Sequence, residues 1–164
     1  ISDTHFGHEK TCTVFKRADG TPLRPFAGAE EMDEFMVQAW NERVKPEDRV
    51  YHLGDVAMGR KHLKTLSRLN GRLCLIKGNH DIFKLEDYTK HFRDIRGYHV
   101  MNNMILSHIP VHPDSKGRFK GNIHGHLHSR KLDDSWYFCC SVEHTNFAPI
   151  SFDEVMKRIN GPDA

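Results

Sequence analysis

Across residues 30–44, apolar side chains recur three and four positions apart, at Met32, Phe35, Met36, Ala39, Trp40 and Val44. That spacing lays one apolar stripe along a helix, with Pro46 beyond its end. Its aromatic members read as core, and Asn41 as part of the helix's packing and capping. The period then shortens. Residues 50–53 and 73–76 are brief apolar runs that close on Gly54-Asp55 and on Gly78-Asn79-His80-Asp81, the pattern of strands ending in loops. Helices are expected over 61–69, closed by Gly71, and around 85–92. Farther along, 104–106, 122–124 and 136–142 read as strands, and 152–159 as a last helix with Ser151 as its N-cap. Helices and strands alternate first and strands dominate later. The order predicts an α/β fold, a two-sheet β-sandwich flanked by helices in an αββα arrangement.

No repeat, low-complexity tract or linker divides the 164 residues, so one domain over 1–164 is expected. The chain starts directly on a polar motif, and a short stretch of first strand is expected before Ile1. With 38% hydrophobic and 28% charged residues, the composition is that of an ordinary globular protein. No apolar run is long enough for a membrane helix. A net charge of +2 is too small for a nucleic-acid coat, so any affinity for phosphate has to be local. Cys12, Cys74, Cys139 and Cys140 form no Cys-x-x-Cys pair and read as reduced thiols of a cytoplasmic protein. Nothing here specifies an oligomeric state. The compositional outlier is histidine, at 13 residues. Histidine is the commonest metal ligand and a frequent general acid or base.

Metal-capable residues recur at the ends of the expected strands: Asp3 and His5, Asp55, Asn79 and His80, His108, and His126 and His128. Rigid strands aim side chains at such ends while the loops leave a site open. Asp3 and His5 lie two apart, so on an extended segment both point to one side and can share an ion. By the same rule His126 and His128 stand about 7 Å apart, far enough to serve two different ions. A carboxylate at Asp55 can bridge the two. Asn79 adds a neutral oxygen, with Gly78 allowing a tight turn before it. Two divalent ions against two carboxylates leave a positive site, suited to a phosphate ester and to a bridging water acidified to hydroxide.

Taken together, Asp3-Thr4-His5, Gly54-Asp55, Gly78-Asn79-His80-Asp81, His108 and Gly125-His126-Leu127-His128 resemble the motifs of the calcineurin-like metallophosphoesterases, in the family's order. The resemblance implies one ion on Asp3, His5, Asp55 and His128, and a second on Asp55, Asn79, His108 and His126. It also implies that His80 faces the substrate as a catalytic group, stabilising the phosphoryl group or protonating the leaving oxygen, with Asp81 orienting it. Mn²⁺ is the expected ion; Fe, Zn²⁺ and Ni²⁺ also suit these donors.

Protein phosphatases of that superfamily carry Val-Asp-Arg-Gly after Gly-Asp, where this chain has Val56-Ala57-Met58-Gly59-Arg60. The short chain leaves no room for the caps of the larger nucleases. Expectation therefore centres on a small bacterial or phage type of phosphodiesterase or phosphatase, with diesters favoured and a nucleotide or RNA end as substrate. The alternative is an inactive metal- or nucleic-acid-binding module on the same fold. His8 and the basic pair Arg118 and Lys120 are the candidates for contact with substrate. His124 shares the period-two spacing of His126 and His128 but reads as a strand residue, and His52 and His112 as structural.

Overall fold

In the computed structural model, which describes residues 1–160, helices α1 (Lys10–Thr13) and α2 (Ala29–Arg43) lead into strand β1 (Arg49–His52). A 3-10 helix (Arg60–Arg68) connects β1 to β2 (Arg72–Ile76), and one helical turn, α3 (Leu85–Tyr88), connects β2 to β3 (Asp94–Arg96). These three strands form a parallel sheet in the order β1-β2-β3. The second sheet runs β4 (Tyr98–Met101), β5 (Met104–Ser107), β6 (Gly121–His124) and β7 (Tyr137–Cys139), antiparallel between β4 and β5 and parallel thereafter. Helix α4 (Phe152–Asn160) follows, and its Ser151 Oγ accepts the Glu154 N–H at 3.2 Å, as an N-cap does.

Period-two alternation sorts the strand residues between two cores. Val50, Leu73 and Leu75 turn toward Met32, Met36, Val37 and Trp40 of α2 and toward Leu63 and Leu66. Leu53 and Ile76 turn the other way, joining Met104, Leu106 and Ile123 of the second sheet and Val155 of α4. The result is an α/β fold of two sheets flanked by helices. Each fully buried aliphatic side chain contributes about 1.5–3 kcal/mol, so the shared second core ties the sheets together firmly.

Five elements depart from the expected pattern. The buried face of α2 is turned relative to the predicted stripe: Val37 is buried, whereas Phe35 is 46% exposed and packs at the rim against Phe26 and Phe147. The segment after β1 is 3-10 because Leu63, Leu66 and Leu69 repeat every three residues, which matches three residues per turn. Residues 85–92 hold only one α-turn, with Tyr88 and Phe92 buried four apart. Strands β3 and β4 carry mixed polar residues at a sheet edge and gave no apolar run to detect.

The segment from Ile1 to Phe6 joins the exits of both sheets. Leu53 N–H donates to Ile1 O, Ser2 N–H to Cys140 O, and Phe6 N–H to Val56 O. A groove of about 630 Å³ beside Ile1, lined by Val44, Tyr51, Phe152 and Val155 among others, contains none of the expected ligands. All four cysteines are buried free thiols, and among the described residues no helix is long and apolar enough to cross a membrane.

Candidate metal centre

The expected ligands meet through backbone turns, not along extended strands. Asp3, His5, Asp55, His126 and His128 all have positive φ, between 46° and 68°. A side chain in that region costs about 1–2 kcal/mol per residue and needs surrounding bonds to hold it. Those bonds are present. Asp3 N–H donates to Gly54 O and His5 N–H to Asp55 O, while His126 N–H donates to Asp3 Oδ2 at 2.9 Å. The same-side geometry predicted from an extended Asp3–His5 pair is thus replaced by a left-handed turn at each ligand.

Glycines permit the close approach. A Cβ at Gly78 would overlap Asp55 Oδ1 and its backbone nitrogen, and one at Gly125 would overlap Ser2 and Asp3 Oδ2. The expected turn is present, closed by Asp81 N–H on Gly78 O at 3.3 Å, but the φ of Gly78 is not positive, so this glycine serves it by giving clearance to Asp55.

Two donor groups result. Asp3, His5 and His128 each place one donor atom within 4.8 Å of the others, and so do Asp55, His108 and His126. Asn79 belongs to the second group: its Oδ1 lies 2.9 Å from His108 Nε2 and 3.0 Å from His126 Nδ1. Asp55 Oδ2 stands between the groups, 3.5 Å from His5 Nε2 and 3.4 Å from His108 Nε2. All seven sequence-derived ligands therefore converge, and His126 and His128 fall to different groups. Asp3 Oδ1 and His5 Nε2 are buried without a hydrogen-bond partner. Each such atom costs about 1–3 kcal/mol, which a cation bound by both would offset. The donor set and its orphaned atoms fit a pair of divalent ions.

Two of these groups are already in the state that ligates, and two must lose a proton as an ion binds. Burial drives His5 well below its ordinary value, keeping the ring neutral. Burial works to raise Asp55, but hydrogen bonding and charge from His108, with the His80 N–H, hold it at about 2. Burial likewise opposes protonation of His108 and His128, yet Asp55 and Glu143 respectively outweigh it and raise both.

His52 lies beneath this centre and is fully buried. It accepts the Gly54 N–H on Nδ1 at 3.2 Å, so Nε2 carries the proton and donates to Thr4 Oγ1 at 2.9 Å; Thr4 in turn donates to Val56 O at 2.8 Å. Burial lowers the His52 pKa to about 3. With an unfolded value near 6.5, the stability linked to this group is complete above pH ~6.5 and is lost as pH falls toward 3. Urea midpoints of the metal-free protein are expected to fall on acidification below pH 6.5. His52→Gln should flatten that dependence by up to one proton, roughly 1.4 kcal/mol per pH unit. An unchanged slope in the variant would refute the assignment.

Asp81 does not orient the His80 ring. Its Oδ2 accepts the N–H groups of Asp55 (2.9 Å) and Gly78 (2.8 Å), and its Oδ1 accepts that of Val56 (3.0 Å). This buried carboxylate is spent on three backbone amides and staples the two ligand loops together. His80 is exposed; its N–H donates to Asp55 Oδ1 at 2.8 Å, and its ring lies 5.5 Å from that of His5. His8 lines the same cleft. Arg118 and Lys120 line neither this cleft nor the groove on the His108 side; Lys120 N–H pairs with Asn103 O and Arg118 packs over Phe119. Lys116 is held by Asp134. Phe119, between Arg118 and Lys120, does line the groove beside Asn79 and His108. His124 is a buried strand residue bonded to Gly125 O, as expected.

Sequence reasoning missed Arg24 and Glu143. Arg24 is fully buried and donates to Glu143 Oε1 (2.9 Å), to Thr4 O (2.7 Å) and to Asp3 O. Glu143 Oε1 also lies 3.2 Å from His128 Nδ1, fixing that ring and leaving Nε2 as its free donor. Burial works to raise Glu143, but the Arg24 charge and His128 hold it at about 2. No local pattern marks either residue; the unusual solitary Arg between Leu23 and Pro25 is the only trace.

No family model matches the chain. An uncharacterized protein of Methanocaldococcus jannaschii, MJ1445, is 35% identical over 97% of this chain and 89% of its own length. The Gene 66 protein of Mycobacterium phage D29 is 32% identical over 79% of this chain and 77% of its own. Among solved structures, the protein of unknown function AQ665 from Aquifex aeolicus superposes with a TM-score of 0.72 at 28% identity, covering 96% of each chain. At these identities and coverages the chain belongs to the protein family of archaeal MJ1445 and the phage D29 Gene 66 protein.

Proposed function

We propose that this chain is a dinuclear phosphoesterase of the calcineurin-like metallophosphoesterase type, hydrolysing phosphodiesters in preference to monoesters, with a nucleotide or nucleic-acid end as substrate. The observation that carries the reading is the Asp55 carboxylate standing between two donor groups, 3.5 Å from His5 and 3.4 Å from His108. Asp3, His5, Asp55 and His128 would hold one ion, and Asp55, Asn79, His108 and His126 the other, with Mn²⁺ first among candidates. Two such ions supply Lewis acidity, which acidifies water and neutralises phosphoryl oxygens.

The chain's own residues do the rest. Two carboxylates against two divalent ions leave net positive charge, which draws in an anionic ester. His80, tethered through its backbone N–H to Asp55 but with an exposed ring, is free to donate a proton to the leaving oxygen. Asp81 keeps that loop in place through the amides of Asp55, Val56 and Gly78.

Cleavage of an aryl phosphodiester should require Mn²⁺, vanish on chelation and return with metal. His80→Ala should retain close to two ions per chain while turnover falls by about 10²–10⁴-fold, the usual contribution of a general acid. Activity that survives thorough chelation would sink the proposal. Equal loss of metal from His80→Ala and a ligand variant would remove His80 from its role.

A further inference from the structure

Beside the Asp3–His5–His128 group a cleft of about 1100 Å³ opens, lined by the 8–19 and 127–130 segments with His5 and His80. Its walls carry Lys10, Lys16, Arg17 and Arg130 against a single carboxylate, Asp19, which is occupied by the N–H and hydroxyl of Thr21. Among the described residues none of these four cations forms an ion pair. Arg17 donates from Nε to Leu23 O at 3.2 Å, which leaves its remaining N–H groups for a ligand.

Apolar side chains stand among the free charges: Phe15 is 44% exposed, Val14 57% and Met58 37%. The Phe15 ring meets His8 edge-on at 5.5 Å, and His8 Nδ1 is buried without a partner. A face that leaves both a phenyl ring and unpaired cations open to water is built for a ligand with alternating flat apolar and anionic parts. At about 1100 Å³ the cleft stands at the upper edge of the ~300–1,000 Å³ typical of small-molecule sites.

We propose that this cleft is the track for a single strand of nucleic acid, whose phosphates pair with Lys10, Lys16, Arg17 and Arg130, while a base stacks on Phe15. The inference rests on the phosphoesterase reading for what happens beside His5 and His80, but binding along the track needs no hydrolysis. It places the nucleic-acid contact on the 10–17 and 127–130 segments and away from Arg118 and Lys120.

The test is fluorescence anisotropy with an end-labelled 12-nucleotide strand and the full chain in excess chelator, which separates binding from cleavage. Single-stranded DNA and RNA of one sequence are titrated in parallel, and the tighter binder identifies the strand type. Lys16→Ser/Arg17→Ser should weaken binding about tenfold or more and reduce the slope of log K against log salt by about 1.4, at about 0.7 per lost contact. Phe15→Ala should weaken it by about fivefold or more, as loss of a stacking platform does. Arg118→Ser/Lys120→Ser should bind like the parent. Equal losses in the two double variants would overturn the proposal, as would competition by inorganic phosphate or a mononucleotide at the strand's own concentration. Strand binding without Mn²⁺-dependent cleavage would leave the track standing and remove the phosphoesterase reading. Cleavage of an aryl diester without strand binding would do the reverse.

Discussion

Asp55→Ala is expected to empty both ion positions at once and to lower aryl phosphodiester turnover by at least about a thousandfold, equivalent to ~4 kcal/mol of transition-state stabilisation. Its Oδ2 is the one carboxylate oxygen within 3.5 Å of a histidine in each donor group, so truncation removes a ligand from both. The change also releases the His80 N–H, which Asp55 Oδ1 accepts at 2.8 Å, and so loosens the loop that carries the proposed proton donor. His128→Ala removes a donor from the Asp3–His5 group alone and should spare the second ion. Metal content by mass spectrometry on protein that melts like the metal-free parent provides the comparison. More than one ion per chain in Asp55→Ala would show that the carboxylate is not shared.

Arg24→Met should cost about 3–5 kcal/mol of stability, the usual result of leaving one member of a buried ion pair without its partner. Methionine fills similar space beside Met32, whose sulfur Arg24 already contacts, so the loss measures charge and hydrogen bonding more than a cavity. Three effects add. Glu143 is left buried and ionised, and Asp3 O and Thr4 O lose the donors that hold the left-handed turns at Asp3 and His5. The Glu143 oxygen paired with His128 Nδ1 is also no longer held in place by the guanidinium. For a chain of this size the melting temperature should fall by roughly 6–20 °C, at ~2–4 °C per kcal/mol. Glu143→Gln keeps the shape and should instead weaken metal binding by about 10–100-fold, the common effect of changing the group that orients a ligating histidine. A destabilisation below about 1 kcal/mol in Arg24→Met would mean that the network is not what holds the turns.

The two parts of the centre differ in how far their roles can be read locally. Asp55 and Asn79 end apolar runs, so their position at strand exits follows from the chain alone, whereas the parallel pairing that brings β1 and β2 side by side is a fact of the fold. Asp81 sits in the same tetrapeptide as His80, and the resemblance implied that it orients the ring. Its oxygens instead reach backbone amides of a loop 25 and 26 residues away. Lys116, Arg118 and Lys120 alternate just before the histidine motif, yet the loop that carries them runs away from the cleft, and Lys116 closes on Asp134. Neighbours in sequence part company in both cases because loops, unlike strands, impose no direction on successive side chains.

Donor chemistry and element order were therefore determined by the sequence: which residues are able to hold a cation, and that they stand where strands end, because apolar periodicity and residue type are local properties. The resemblance already implied which donors belong together, whereas tertiary structure alone decided how the backbone holds them and which cations line the cleft. The left-handed turns at Asp3, His5, Asp55, His126 and His128 replace the regular alternation from which spacing arguments proceed. The bonds that sustain those turns join residues as far apart as Arg24 and Glu143, separated by 119 positions, and so exist only once the chain has folded.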